Sequence, residues 1–194
     1  MNKIAVFCGS SFGAKDVYKE GAIALGKELA ARGLSLVYGG SSVGLMGAVA
    51  DAVLEEGGQV IGVLPVFLQD REIAHSNLSE LIIVDTMHER KAKMAEIADG
   101  FMVLPGGAGT MDEFFEIFTW GQLGLHRKPC GLLNLGGYYD LLIELFNHMT
   151  DEQFIQEKFR SMVLSDVTPE GLLDQFRTYE PPTVKTFLKS EKQL

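Results

Sequence analysis

Cysteine is scarce in this chain of 194 residues: only Cys8 and Cys130 are present. Two cysteines cannot make a disulfide framework. Each sits in an apolar run that reads as a strand, so both are expected to be buried free thiols of a reducing cytosol. Basic side chains are also short, with 17 Lys+Arg against 26 Asp+Glu and a net charge of −9. Nucleic-acid backbones and anionic membranes both attract basic surfaces, so neither partner is expected. No segment approaches the roughly 18–20 continuous apolar residues of a membrane span. The apolar stretch at the N-terminus is interrupted at once by Gly9 and Ser10, too early for a signal peptide. A cytoplasmic location is the expectation.

Standard signatures are missing too. Gly9 stands alone after the first apolar run, without the rest of a G-x-G-x-x-G pattern, and no phosphate loop ends in Gly-Lys-Ser/Thr. Hydride transfer with NAD and hydrolysis of nucleoside triphosphates are therefore disfavoured. His75, His88, His126 and His148 show no metal-ligand spacing. Neither a metal nor a cofactor is expected.

What is present is a hydrophobic content of 46%, enough to bury the core of one domain. Short apolar runs alternate with helix-length segments. Strands are expected at Lys3–Phe7, Leu34–Tyr38, Gln59–Leu64, Leu81–Asp85, Phe101–Leu104 and Gly131–Leu135. Helices are expected at Asp16–Arg32, Gly44–Glu56, Met87–Ala98, Thr110–Leu125, Tyr138–Met149 and Thr168–Tyr179. The strands scarcely alternate between apolar and polar, as in parallel sheets covered by helices on both faces. The expected fold is α/β, a doubly wound, Rossmann-like single domain over residues 1–179, with a polar tail at 180–194.

Ligands of such sheets bind beyond the carboxyl ends of the strands. Three glycine-rich loops fall there: Cys8–Ser11, Gly39–Gly47 and Pro105–Thr110. Glycine lets backbone approach a ligand, and a helix starting just after offers free amides to an anion. Together they point to a phosphate or nucleotide site. Thr110-Met111-Asp112-Glu113 also fits a capping box, with Thr110 as N-cap and Glu113 reaching back to its amide. That structural reading competes with a catalytic one, in which Glu113 handles a developing cation or a water. Arg90 and Lys91 open a helix, where basic residues oppose the dipole. A solvated charged face and a phosphate clamp both explain Arg90. Phe114, Phe115, Phe118 and Trp120 cover more than one helix face, as a core helix or a subunit interface does.

The run Pro105-Gly106-Gly107-Ala108-Gly109-Thr110-Met111-Asp112-Glu113 resembles the PGGxGTxxE motif of the LONELY GUY family. The likeness spans about residues 3 to 178. It takes in the opening Cys-Gly-Ser-Ser, Gly44–Gly47, Arg71-Glu72-Ile73, Met87–Lys91, Thr119–Gly124, Lys128-Pro129 and Asn134–Tyr139. These proteins are cytokinin riboside 5′-monophosphate phosphoribohydrolases, once widely labelled lysine decarboxylases. The resemblance implies hydrolysis of the N-glycosidic bond of a purine nucleoside 5′-monophosphate, giving free base and ribose 5-phosphate. It implies Arg90 and Glu113 as the catalytic pair. It places substrate contacts at Ser10, Glu72, Met87, Arg90, Lys91, Gly106, Gly107, Ala108, Gly109, Thr110, Met111, Asp112, Glu113 and Thr119. It also implies a homodimer or higher homo-oligomer.

Two departures stand out: Ser41 replaces a third glycine after Gly39-Gly40, and Asp112 replaces a glutamate. A pyridoxal-phosphate decarboxylase needs a Schiff-base lysine and a partner for the ring nitrogen, and nothing around Lys91 or Lys93 supplies that setting. A nucleotide-binding or sensing module is the alternative reading, and ribosyl transfer a third. A small monophosphate is compatible with the −9, because net charge says little about one pocket.

Overall fold

A computed structural model describes residues 1–68 and 74–184. Seven strands form one parallel sheet: β1 (Lys3–Phe7), β2 (Ser35–Tyr38), β3 (Val60–Pro65), β4 (Glu80–Val84), β5 (Gly100–Val103), β6 (Cys130–Leu133) and β7 (Val163–Asp166). Their order is β4-β3-β2-β1-β5-β6-β7. Every pair is parallel, as the near-continuous apolar runs require. Strand β7 was not among the expected strands. Ser165 and Asp166 fill half of its four positions, so no apolar run marks it.

Seven helices cover the sheet: α1 (Asp16–Ala31), α2 (Gly44–Glu55), α3 (Met87–Ile97), α4 (Ala108–Gln122), α5 (Asp140–Asp151), the short α6 (Glu157–Arg160) and α7 (Pro169–Thr178). Side chains alternate across each strand, and β1 shows this directly. Ile4 and Val6 enter a core with Leu25 and Leu29 of α1, Val49 of α2 and Leu172 of α7. Ala5 and Phe7 enter a second core with Met94 of α3, Phe114 and Phe118 of α4 and Phe146 of α5. The sheet is thus wound on both faces, as expected. Tyr138 lies before α5, which begins two residues later than expected, after a 3-10 turn at Leu135–Gly137.

The chain runs outward from β1 through β2 and β3 to β4, then returns to lay β5 against the other side of β1. The switch point therefore lies between β1 and β5, where Phe7 pairs with Val103. The loops after these two strands separate there, and a ligand cleft is expected at that place.

Candidate active site

Three loops meet at the switch point, tied by backbone hydrogen bonds through Gly9. The Gly9 amide donates to the Pro105 carbonyl at 3.0 Å, and the Gly9 carbonyl accepts from the Leu45 amide at 3.1 Å. The approach is close enough that a Cβ on Gly106 would overlap the Thr110 side chain and the Gly9 nitrogen. A Cβ on Gly44, whose φ is +60°, would strike the backbone of Ser10 and Ser11. Glycine is needed here for packing of loop on loop.

The resulting cleft holds about 220 Å³. Its floor is the end of β1 and Cys8; its walls carry Met87 and Arg90 from α3 and Thr110 and Glu113 from α4. Ser10, Gly107, Gly109 and Asp112 complete the expected residues on its surface. Gly106 lies just behind, in the same loop. Ala108, Met111 and Thr119 do not line the cleft. Met111 packs on the core of that face, and Thr119 is exposed further along α4. Glu72 lies outside the described residues.

Arg90 is buried although it is charged, with 8% of its side chain exposed. Its Nε donates to the Val63 carbonyl at 3.2 Å, and one terminal nitrogen lies 3.8 Å from Glu113 Oε1. Glu113 is itself 12% exposed. The pair sits within ion-pair range, and both residues line the cleft. Gly39 makes it possible. A Cβ there would collide with the Arg90 guanidinium and the Met46 methyl group. The second glycine loop thus admits a side chain. Ser41, in place of a third glycine, is fully buried, bridges Ala74 and does not line the cleft.

Lys91, the next residue, turns elsewhere. Its Nζ lies 3.0 Å from Asp112 and 2.8 Å from Glu116, clamping α3 to α4. Burial by itself depresses the ammonium, but the hydrogen bonds donated to Glu116 and Asp112, and their charges, carry it above its ordinary value. A Schiff-base lysine must be available as the neutral amine. Lys91 is held in the opposite state, so the residues here do not fit pyridoxal phosphate.

The capping-box reading of Thr110–Glu113 is corrected. The N-cap of α4 is Gly107, and the helix has begun by Ala108, so Thr110 lies inside the first turn. Glu113 falls in the second turn, beyond reach of any capping amide, and faces Arg90. The first turn of α4 has no side-chain cap and no acidic residue. Its orphan amides and dipole end are therefore presented beside Gly107, Gly109 and Thr110, where an anion is stabilised. The box exists one helix earlier. Thr86 Oγ1 accepts from the Glu89 amide at 3.1 Å, and Glu89 Oε2 accepts from the Asp85 amide at 2.9 Å. The Thr86-Met87-His88-Glu89 pattern carried that signal in the sequence.

The Cys8 thiol on the cleft floor is pushed well above its ordinary pKa, chiefly by burial and then by the Glu113 charge, with Arg90 pulling partly the other way. It stays protonated and is no nucleophile.

A parallel sheet with glycine loops, bare helix amides and a buried Arg–Glu pair at its switch point defines a Rossmann-like protein with a site for a small anionic ligand. A family model described as "Possible lysine decarboxylase" matches residues 46–176. The "Probable cytokinin riboside 5′-monophosphate phosphoribohydrolase LOGL2" of Oryza sativa subsp. japonica is 45% identical over 99% of the chain and 79% of its own length. The "Cytokinin riboside 5′-monophosphate phosphoribohydrolase LOG7" of Arabidopsis thaliana is 50% identical over 92% and 82%. The chain belongs to the LONELY GUY family. In fold it is similar to the molybdenum cofactor binding protein of Rippkaea orientalis, with a TM-score of 0.69, 22% identity and coverage of 91% of this chain and 96% of that one. The molybdenum cofactor carrier protein of Chlamydomonas reinhardtii has a TM-score of 0.69 at 20% identity, with the same coverage.

Proposed function

We propose that the cleft binds a purine nucleoside 5′-monophosphate and hydrolyses its N-glycosidic bond. The observation that carries this is the buried Arg90–Glu113 pair, 3.8 Å apart, beside the uncapped N-terminus of α4. A binding site for an anion alone has no use for a buried carboxylate, which repels the ligand. A reaction through an oxocarbenium-like state does use one. The names of the relatives, which are 45% and 50% identical, support the same chemistry.

The 5′-phosphate is held by the amides of Gly107–Thr110, with Ser10 on the facing loop. The C1′–N bond breaks and its electron pair leaves with the base. Glu113 stabilises the positive charge on the ribose and orients the water whose oxygen bonds to C1′. The proton released by that water is balanced by protonation of the departing base. Arg90 holds the base side of the substrate. Lys91 and Asp112 keep α3 and α4 in register around the pair.

Leu141 and Leu145 on α5 and Phe115 and Leu123 on α4 are exposed apolar side chains, which support a homodimer or higher homo-oligomer. Light scattering on the eluting protein measures it, and a monomer at micromolar concentration rejects it. No described helix is long and apolar enough to cross a membrane. Two free, buried cysteines suit a reducing compartment, and the cytoplasm is the proposed location.

Incubation with AMP and with isopentenyladenosine monophosphate tests the reaction. Free base together with ribose 5-phosphate is the expected result. Unchanged nucleotide with measurable affinity would convert the protein into a binding module, and ribosyl appearing on another acceptor into a transferase.

A further inference from the structure

The Asn134–Tyr139 segment has no part in the reaction as described, yet it reaches the glycine loop from behind. Tyr138 Oη donates to the Gly106 carbonyl at 2.6 Å, and Tyr139 Oη donates to the Leu104 carbonyl at 2.6 Å. Between them, the Pro105 carbonyl accepts from the Gly9 amide. Three consecutive carbonyls, Leu104 to Gly106, are therefore each held by a named donor. The two tyrosines are held in turn. Asn134 Oδ1 accepts from the Tyr139 amide at 2.7 Å, and its Nδ2 donates to Asp140 at 2.7 Å. The Tyr138 ring packs edge-on against Tyr18 and Tyr139.

A trans peptide is planar, with its carbonyl and the next N–H pointing in opposite directions. Holding the Gly106 carbonyl therefore sets the direction of the Gly107 N–H. Tyr138 lines a second cavity behind the loop, with Phe12, Tyr18 and Pro105, whereas Gly107 borders both that cavity and the Arg90–Glu113 cleft. The carbonyl drawn toward Tyr138 turns the Gly107 N–H away from it, toward the cleft. A Cβ at Gly107 would meet nothing within 4 Å, so the loop is open on that side, while Gly106 packs against Thr110 and Gly9. The Tyr138 hydroxyl is the donor that fixes the Gly106 carbonyl itself.

We infer that Tyr138 is a positioning residue for phosphate, which acts through the Gly106–Gly107 peptide and aims the Gly107 amide at the 5′-phosphate. Tyr139 anchors the base of the same loop. The inference rests on the proposed nucleotide reading of the cleft.

Tyr138→Phe removes one hydroxyl, keeps both ring contacts and lies at a partly exposed site, so the fold is retained. One hydrogen bond is worth about 1 kcal/mol, which predicts a rise in KM for AMP of roughly 5–10-fold with kcat little changed. The inhibition constant for ribose 5-phosphate rises by the same factor, and that for free adenine does not move. A purely structural role would shift both inhibitors together. Parallel loss for adenine and ribose 5-phosphate, or no change in either, overturns the inference. Should wild-type protein leave AMP intact, the hydrolase reading falls. Calorimetric titration of wild type and Tyr138→Phe with ribose 5-phosphate then still decides the positioning role, since equal affinities reject it.

Discussion

The chain contains the same tetrapeptide pattern twice, Thr86-Met87-His88-Glu89 and Thr110-Met111-Asp112-Glu113, each at the start of a helix that follows a strand. The two are put to different uses. In the first, Thr86 is the N-cap and Glu89 accepts a backbone amide just outside the helix. In the second, Gly107 is the cap, the helix starts three residues earlier relative to the threonine, and Glu113 is carried into the second turn. A register shift of three residues, set by a glycine cap, thus converts a capping carboxylate into one that faces a buried guanidinium. The glutamate's neighbours go to a different cation: Asp112 and Glu116 take up Lys91, whereas Glu113 faces Arg90 in the cleft.

The sharpest way to break this comparison is to neutralise the two glutamates in turn. Glu113→Gln is expected to lower kcat for base release by about 10²–10⁴-fold with the melting temperature little changed. Glu89→Gln leaves base release near wild type, because its carboxylate only accepts the Asp85 amide. Equal losses in the two variants would mean that Glu113 is structural after all. The next largest effect belongs to Gly39→Ala. The added methyl group occupies the space of the Arg90 guanidinium, and displacement by an ångström is expected to cost about 10²-fold in kcat/KM. Gly107→Ala, with open space around it and a φ of −89°, folds without strain and serves as the matched glycine control for stability.

These contrasts show where sequence reading succeeds and where it stops. Six strands were legible because each carries a near-continuous apolar run, wholly buried in β3 and β5 and kept even in the exposed edge strand β4. Edge strand β7 was not, because Ser165 and Asp166 break its apolar run and its carboxylate serves the Thr168 amide and hydroxyl instead. Arg90 and Glu113 stood out through motif resemblance, but local pattern alone read Glu113 as a cap. What decides its role is the residue that caps α4, Gly107, six residues upstream. The glycines of the second loop were legible as a loop. That Gly39 makes room for Arg90 depends on a helix far along the chain, a contact that no local window contains. Lys91 read as a neighbour of Arg90 in the site, yet adjacent helical residues point some 100° apart, and it reaches Asp112 and Glu116 instead.

The threonines give a smaller and purely structural test. Thr86→Ala removes a true N-cap and is expected to lower stability by about 1 kcal/mol, read as a fall in the urea midpoint. Thr110→Ser keeps the hydroxyl and removes a methyl group from inside the first turn of α4, so its cost is smaller and comes from packing. The reverse order would return Thr110 to the capping role that the position of Gly107 denies it.

The smallest effect lies beyond the far end of α4, at His126. Its Nε2 donates to the Ile117 carbonyl at 2.8 Å, and its Nδ1 accepts from the Lys128 amide at 3.1 Å. Both ring nitrogens are thus used in the neutral form, and protonation would break the Lys128 contact. Burial lowers the imidazole pKa from 6.5, the Ile117 carbonyl works against that, and the Lys128 charge adds to the lowering. The unfolded chain therefore takes up the proton first on acidification. The stability that His126 contributes is complete above about pH 6.5 and declines as pH falls through the depressed folded value. Urea midpoints should drop as the medium is acidified from neutrality, and the drop should shrink in His126→Gln, which cannot bind a proton. An unaltered slope in that variant would show that the pH dependence of folding arises elsewhere, leaving the Glu113 end of α4 as the part of this helix with a charge-dependent task.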